Sequence, residues 1–282
     1  MSRVVGAFSM KKKVGDNLQC IKVDLPRESE KIEILILSDW HIGSPKCDFK
    51  LVQEQIKYIK ENENTYCILN GDLIENSTKS SVGDVYESKL SPKEQVNTVY
   101  SVLEPIKEKI LGGTLGNHCA RTLKQDGIDV MEHVMARLGI LERYDATAIL
   151  LFLRFGKELR GRKESNGSGM QRKICYTIYC THGSSGGRTA GAKANSLERL
   201  SNIVDSDICV ISHTHFPMIF KEMTYQIDHR NSCVNEKETT FVNSGSTLKY
   251  GGYSERFSLK PSSMAQPVIT LDGNKKDIKV TV

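Results

Sequence analysis

The sequence predicts an α/β fold. Over the first half of the chain, strand-length apolar runs alternate with helix-length amphipathic stretches, a pattern typical of strand–helix–strand units. Past residue 147, strand-like runs follow one another with Gly, Asn and Ser turns between them, which indicates more antiparallel pairing. The 282 residues contain no internal repeat and no linker that would divide them. We therefore expect a single domain over residues 1–282.

The strands of this fold follow from apolar runs. Residues 1–30 indicate only a short strand or an extension, whereas "KIEILILSD" is a near-continuous apolar run typical of a strand buried on both faces. The predicted strands are residues 31–39, 65–72, 112–117, 148–155, 174–183 and 207–215. The last seventy residues are strand-rich, with turn signals at Asn243, Gly251 and Asp272.

The helices follow from caps and periodic apolar stripes. Asp48 can cap a first helix, and Ser91 with Glu94 forms a capping box that starts a second one. Pro105 should kink or end that second helix. Two further helices are predicted at residues 129–138 and 195–204.

Composition excludes several classes of protein. No apolar run approaches the length of a membrane span, and the first residues lack the apolar core of a secretory signal, so we expect a cytoplasmic protein. The eight cysteines are irregularly spaced, without a C-x-x-C pair, and several lie in strand-like runs. Free thiols are therefore expected rather than a disulfide framework or a zinc site.

The charge balance permits a polyanionic partner without requiring one. The net charge is +5, and the clearest basic stretch is residues 154–173, "RFGKELRGRKESNGSGMQRK". Its Gly/Ser-rich middle predicts an exposed loop between two strands. A solvated hairpin tip is the simpler interpretation, with a nucleic-acid contact as the alternative.

Polar residues that bind metals follow five of the predicted strands. They are Asp39 and His41, Asp72, Asn117 and His118, His182, and finally His213 and His215. Ligands of open α/β sheets bind beyond the carboxyl ends of the strands, so these side chains are expected at one rim. The i, i+2 pairs Asp39/His41 and His213/His215 should project to the same side of an extended backbone.

The mixture of carboxylate, imidazole and amide groups indicates borderline metals such as Mn²⁺, Fe²⁺ or Zn²⁺. A single histidine after a strand is more often structural, and His133 and His229 are assigned that role. Five such motifs in order are a much more specific signal.

The motifs "DWH", "NGD", "GNH", "THG" and "SHTH" resemble, in order and residue type, the signature of the calcineurin-like metallophosphoesterase superfamily. The match covers about residues 34–216, and "NSGSTLKYGGYSE" is reminiscent of bacterial and phage-type members. The resemblance implies two mixed β-sheets packed as a sandwich, with helices on both outer faces. The motif-bearing core would span about residues 32–216, with residues 217–282 completing the second sheet.

Carried over position by position, the resemblance implies two divalent metal ions, with Mn²⁺ favoured. Asp39, His41 and His215 would bind one ion. Asn117, His182 and His213 would bind the other, with Asp72 bridging the two. His118 matches the family's catalytic histidine, which acts on the leaving group.

The implied activity is hydrolysis of a phosphodiester, by attack of a metal-bound hydroxide on phosphorus. The basic balance favours a nucleic acid or nucleotide as substrate, with a phosphomonoesterase or protein phosphatase as the alternative. A non-catalytic scaffold on the same fold is the alternative from another class, although such versions usually lose ligands. Arg121, Arg188 and Lys193 are candidate contacts to substrate phosphates.

Two positions depart from the family pattern. Ser212 stands where the pattern has Gly, which adds a hydroxyl beside His213. Cys119 takes the place of an acidic residue that orients the catalytic histidine in many members. A neutral thiol cannot supply that negative charge.

Overall fold

Thirteen β-strands and six α-helices occur in the part of the chain that the computed structural model describes, which is residues 7–11, 18–78, 81, 85–157, 173–184 and 187–282. The strands are β1 (Ala7–Lys11), β2 (Gln19–Asp24), β3 (Lys31–Leu37), β4 (Thr65–Asn70), β5 (Ile110–Thr114), β6 (Tyr144–Asp145), β7 (Ala148–Phe155), β8 (Ile174–Thr181), β9 (Ile208–Ile211), β10 (Met218–Asp228), β11 (Cys233–Asn243), β12 (Val268–Asp272) and β13 (Ile278–Thr281). The helices are α1 (Phe49–Glu61), α2 (Pro92–Leu103), α3 (Ala120–Asp126), α4 (Val130–Leu138), α5 (Ala190–Glu198) and α6 (Tyr253–Arg256).

The strands form two mixed sheets. One has the order β1-β2-β7-β8-β9-β11-β10, and the other has the order β13-β12-β3-β4-β5-β6. In the second sheet β3, β4, β5 and β6 are parallel to one another, while β12 and β13 are antiparallel additions at the edge. In the first sheet, β8, β9 and β11 run parallel beside one another. Each sheet thus brings several carboxyl strand ends to a common edge.

An apolar layer between the two sheets forms the centre of the molecule. Ile34 and Ile36 of β3 and Ile68 of β4 pack there against Leu151 of β7 and Ile178 of β8, all fully buried. The alternate residues of β3 point outward, since Leu35 and Leu37 pack in a separate cluster with the helices. Burial on both faces explains why this strand is a near-continuous apolar run in the sequence.

Helices cover the outer face of each sheet. Val52 of α1, Val99 of α2 and Val134 of α4 pack against the six-stranded sheet. On the other side, Leu197 of α5 packs with Tyr179 and Phe241 of the seven-stranded sheet. The sandwich with helices on both outer faces, expected from the resemblance, is therefore confirmed.

Some expected boundaries differ from the structure. The carboxyl-terminal segment completes both sheets rather than one, because β10 and β11 join the seven-stranded sheet while β12 and β13 join the other. The helix expected at 195–204 is α5, which starts earlier because the Thr189 hydroxyl accepts a hydrogen bond from the Ala192 amide and caps it. α2 ends at Leu103, next to the residue before Pro105, and a 3₁₀ turn follows.

The other sequence-based expectations have mixed outcomes. All eight cysteines are free. Among the described residues, no helix is long and apolar enough to cross a membrane. Arg154, at the start of the basic stretch, pairs with Asp24 across β7 and β2, while residues 158–172 lie outside the described residues.

Candidate metal centre

The side chains expected at strand ends converge where the two sheets meet. The six-stranded sheet contributes residues that follow β3, β4 and β5, and the seven-stranded sheet contributes residues that follow β8 and β9. Three groups have ligand atoms that all lie within 4.8 Å of one another: Asp39, His41 and His215; His41, Asp72 and His118; and Asp72, His182 and His213. The first group is the trio assigned to one ion from the sequence, and Asp72 belongs to both of the others.

Left-handed backbone, rather than extended backbone, presents these side chains. Five of them have positive φ values: 50° at Asp39 and His41, 52° at Asp72, 66° at His213 and 51° at His215. The expectation that the i, i+2 pairs meet because their backbone is extended is therefore wrong. Non-glycine residues rarely adopt this conformation, and such strain concentrates at functional sites. The backbone therefore turns sharply at these residues after β3, β4 and β9, and those turns bring the side chains toward one another.

Two glycines permit the close approach of the loops. A Cβ on Gly116 would lie 2.1 Å from both the backbone nitrogen and Oδ1 of Asp72. At Gly71, where φ is +83°, a Cβ would lie 2.5 Å from Nδ1 of His182. The Asn117-His118 loop can therefore pack onto the Asp72 loop only because neither glycine has a side chain.

The first cluster is centred on the buried carboxylate of Asp39. Its Oδ2 accepts hydrogen bonds from the Ser38 hydroxyl at 2.8 Å and from the backbone amide of His213 at 3.2 Å. Its Oδ1 lies 3.0 Å from Nε2 of His215 and 3.9 Å from Nε2 of His41. That Oδ1 has no hydrogen-bond partner among the described residues.

The second cluster is centred on Asp72 and His182. The Nδ1 of His182 donates to the carbonyl of Asn70 at 2.7 Å, which places the lone pair of a neutral ring on Nε2. That Nε2 lies 3.1 Å from Oδ2 of Asp72 and 3.1 Å from Oδ1 of Asn117. The ring of His213 stands edge-on to that of His182, with centroids 5.4 Å apart.

Glu75 is a residue of this site that our sequence reasoning missed. Its Oε2 lies 3.1 Å from Nδ1 of His41, and its Oε1 lies 3.6 Å from Nδ1 of His118. Its backbone carbonyl accepts a hydrogen bond from Nδ1 of His118 at 2.8 Å. The signal was present in "NGDLIE", where an acidic residue follows Asp72 by three positions.

Charge and burial together shift the pKa values of the centre. Burial opposes ionisation of Asp72, but the neighbouring His182 outweighs it and holds the carboxyl pKa low. Burial likewise works against a charged His182, yet the charge of Asp72 raises its pKa to about 9. For His118, burial and the nearby His41 together lower the pKa to about 4. Burial also opposes ionisation of Glu75, but its bond to His41 prevails and lowers the carboxyl pKa.

These features fit divalent cations. A buried carboxylate oxygen without a hydrogen bond is an atom that a cation can satisfy. His41 and His182 each direct Nδ1 to an oxygen of a second residue, the outer contact that metal-ligating histidines usually make. The oxygen and imidazole donors together suit borderline metals.

Cys119 is buried beneath the site and not part of its polar surface. It packs in the apolar cluster with Leu73 and Ile74, and burial raises the pKa of its thiol. A neutral thiol in this position is a small apolar group. Glu75, from another loop, brings a carboxylate to the histidine that precedes Cys119.

The candidate phosphate contacts have different surroundings. The Nη1 of Arg121 donates to the carbonyl oxygens of Glu75 at 3.1 Å and Asn76 at 3.4 Å, so it braces the Glu75 loop. Arg188 is exposed on the segment before α5. The Nζ of Lys193 donates to the carbonyl of Thr214, between His213 and His215, at 3.1 Å.

The two histidines assigned structural roles lie on other elements. His133 is exposed on α4, and His229 is exposed in the turn between β10 and β11.

Comparison with known proteins identifies the family that this sequence matches. The sequence matches the profile of the calcineurin-like phosphoesterase family over residues 32–241. Similar solved structures include a conserved uncharacterized protein of Streptococcus pneumoniae, described as a predicted phosphoesterase, with 15% identity, 89% of this chain and 88% of that chain covered, and a TM-score of 0.36. Vacuolar protein sorting 29 of Cryptosporidium parvum has 13% identity and a TM-score of 0.41, and the match covers 90% of this chain and 98% of that chain. The wild-type protein of that name from Entamoeba histolytica, complexed with Zn²⁺, has 13% identity and a TM-score of 0.30, and the match covers 89% of this chain and 97% of that chain. No curated protein matches the sequence.

Proposed function

Because the chain belongs to the calcineurin-like phosphoesterase family, we propose that it hydrolyses phosphoesters with the help of two divalent metal ions. The observation that carries this proposal is the set of three overlapping ligand groups, in which His41 is shared by the first two and Asp72 by the last two. Asp39, His41 and His215 would hold one ion. Asn117, His182 and His213 would hold the other, with Asp72 between them.

The metal ions would lower the pKa of a water molecule and stabilise charge on the phosphoryl group. The protein positions what surrounds them. Asp39 and Asp72, both kept ionised, supply negative charge at the centre. His41, oriented by Glu75, and His182, oriented by the Asn70 carbonyl, present Nε2 to the same space.

We assign proton donation to the leaving oxygen to His118. Its Nδ1 is occupied by the Glu75 carbonyl, so Nε2 is the nitrogen available to a substrate. Its low pKa means that the ring is neutral at pH 7 without substrate. The negative charge of a bound phosphoester and the nearby Glu75 carboxylate favour the protonated ring, which is the form that can donate.

For the substrate, we propose a phosphodiester of a nucleic acid or nucleotide, with Mn²⁺ as the metal. The net charge of +5 supports a polyanionic substrate. Arg121 and Arg188 are proposed contacts to its phosphates, and the closest competing activity is that of a phosphomonoesterase.

Metal content and hydrolysis test this function together. The purified protein should bind about two equivalents of Mn²⁺ and hydrolyse a phosphodiester only with metal present. The assay panel is a nitrophenyl monoester, a nitrophenyl diester, cyclic nucleotides, single-stranded DNA and duplex DNA. No metal binding after gentle reconstitution would contradict the proposal, and hydrolysis of monoesters alone would contradict the diester assignment.

Two variants with matched controls assign the residues. Asp72→Asn should lose both bound metal and activity, whereas Asp126→Asn, an exposed aspartate on α3, should keep both. His118→Asn should retain metal but lose about 10²–10⁴-fold in kcat on esters with poor leaving groups. His133→Asn is its control, on the exposed face of α4. Full kcat of His118→Asn on poor leaving groups would exclude the proton-donor role.

A further inference from the structure

A chain of buried polar side chains runs beneath the two ligand clusters. Its members are Ser38, Asn70, Ser212 and Ser244, each at most 1% exposed. Ser38 follows β3 and Asn70 ends β4, so these two belong to the six-stranded sheet. Ser212 follows β9 and Ser244 follows β11, so the other two belong to the seven-stranded sheet. This row of polar side chains therefore joins the two sheets directly under the metal centre.

One end of this chain bonds to the Asp39 cluster. The Ser38 hydroxyl donates to Oδ2 of Asp39 at 2.8 Å and lies 2.7 Å from the Ser244 hydroxyl. The Ser244 hydroxyl of the opposite sheet therefore contacts the group that holds the Asp39 carboxylate, and it donates its own proton to the Ser212 hydroxyl.

The other end bonds to the His182 cluster. The Asn70 amide nitrogen donates to the Ser212 hydroxyl at 2.6 Å and to the Thr181 carbonyl at 3.0 Å. The Asn70 backbone carbonyl accepts from Nδ1 of His182. The Ser212 amide donates to the His182 carbonyl at 3.1 Å. Ser212 thus contacts the residue that orients the His182 ring and the His182 backbone itself.

The link between the two ends is the 2.9 Å contact of the Ser244 and Ser212 hydroxyls. We propose that the Ser212 hydroxyl is a positioning group that couples the Asp39 and His182 ligand clusters. A residue without a side-chain hydroxyl at this position could not make the contact. Removing the hydroxyl would leave buried polar groups of Asn70 and Ser244 to find other partners, and both clusters would shift.

This inference rests on the metal binding of the proposed function. Two measurements distinguish a failure of the inference from a failure of the proposed function. The first is affinity for Mn²⁺, measured by titration of Ser212→Ala, Ser244→Ala and the double variant. We expect each single variant to bind about 10-fold more weakly, as is usual when an outer contact of a ligand is lost. The double variant should bind Mn²⁺ no more weakly than either single variant, about 10-fold below the parent protein, because the two hydroxyls act as one link.

Ser206→Ala is the matched control, since this buried serine donates to the Ile208 carbonyl on β9. Its Mn²⁺ affinity should change by less than about 2-fold. Unchanged affinity in Ser212→Ala, or an equal loss in Ser206→Ala, overturns the inference while leaving the proposed function intact.

The second readout is amide hydrogen exchange of the metal-free protein. In Ser212→Ala, exchange should become faster both at residues 38–42 and at residues 181–184, because the link holds both segments. Faster exchange around residue 212 alone overturns the coupling. If the parent protein binds no Mn²⁺, the proposed function fails, and this exchange pattern still decides whether Ser212 couples the two segments.

Discussion

Glu75 places one carboxylate within reach of two imidazoles of different expected role, a metal ligand and a proton donor. We expect Glu75→Gln to lower kcat/KM by about 10–100-fold while retaining metal, because the His41 and His118 rings lose the charged carboxylate that orients them. The measurement is kcat/KM over a series of leaving groups, with metal content determined in parallel. Glu54→Gln is the control, since Glu54 is exposed and pairs only with Lys50 among the described residues. Equal kcat/KM in Glu75→Gln and the parent would contradict this role.

Gly116 shows how little room separates the two central loops. Gly116→Ala should destabilise the fold by about 1–3 kcal/mol or more, since the new Cβ must displace Asp72. Metal binding should be lost with it. Gly191→Ala offers a matched comparison: that glycine is exposed on α5 with no atom within 4 Å of a new Cβ, and alanine should stabilise by up to about 1 kcal/mol. Denaturant unfolding of both variants checks the pair, and a stable, metal-binding Gly116→Ala protein would refute the steric argument.

At the scale of elements, local sequence signals decide where helices begin. The capping box of α2 is present in full: the Ser91 hydroxyl accepts from the Glu94 amide, and the Glu94 carboxylate accepts from the Ser91 amide. Signals of this kind involve only neighbouring residues, which is why the sequence predicted α2 and α4 closely. α5 was misplaced because its cap, Thr189, follows a Gly-rich segment that resembles a loop.

Ser91→Ala tests how much this cap contributes. The substitution should cost about 1 kcal/mol, because alanine lacks the hydroxyl that accepts from the Glu94 amide, while the backbone N–H of residue 91 still donates to the Glu94 carboxylate. For a domain of this size, the loss corresponds to a fall in Tm of about 2–4 °C. Ser101→Ala, at an exposed position in the last turn of the same helix, should leave Tm nearly unchanged. Identical Tm values for the two variants would show that the cap is not needed.

The strand ends illustrate what sequence alone could not supply. Each candidate ligand was predicted at the end of its strand, because the motifs lie directly after apolar runs. The turn geometry was not predicted: left-handed φ at Asp39 and His213 results from packing between loops that are far apart in the chain. Glu75 was missed for the same reason, since its partners His41 and His118 come from two other loops.

For the molecule as a whole, the burial of cysteine thiols and tyrosine phenols limits the stability of the fold at high pH. Burial raises the pKa of several of them above their ordinary values, among them Cys67, Cys180, Tyr66 and Tyr176. As the pH rises through about 9, the unfolded chain releases these protons before the folded chain does. The contribution of these groups to the free energy of unfolding should therefore be at its full value below pH 9 and should fall as pH increases further.

Denaturant unfolding of the metal-free protein at pH 8, 9, 10 and 10.5 measures this decline. Cys67→Ala removes one fully buried thiol, so its slope above pH 9 should be shallower by up to about 1.4 kcal/mol per pH unit. Cys233→Ala, at an exposed position, is the comparison. A parent protein equally stable at pH 8 and pH 10.5 would be inconsistent with buried, protonated thiols.

The left-handed turns at the strand ends affect how the centre can be dissected by mutagenesis. Alanine at Asp39, Asp72 or His213 would remove a donor atom but keep a Cβ in a conformation that only glycine adopts freely. Alanine scanning would therefore mix loss of a ligand with backbone strain that the native interactions no longer offset. Glycine removes the same donor atom and also relieves that strain. The difference in stability between the alanine and glycine variants at one position therefore measures how far the native side chain maintains the shape of its turn.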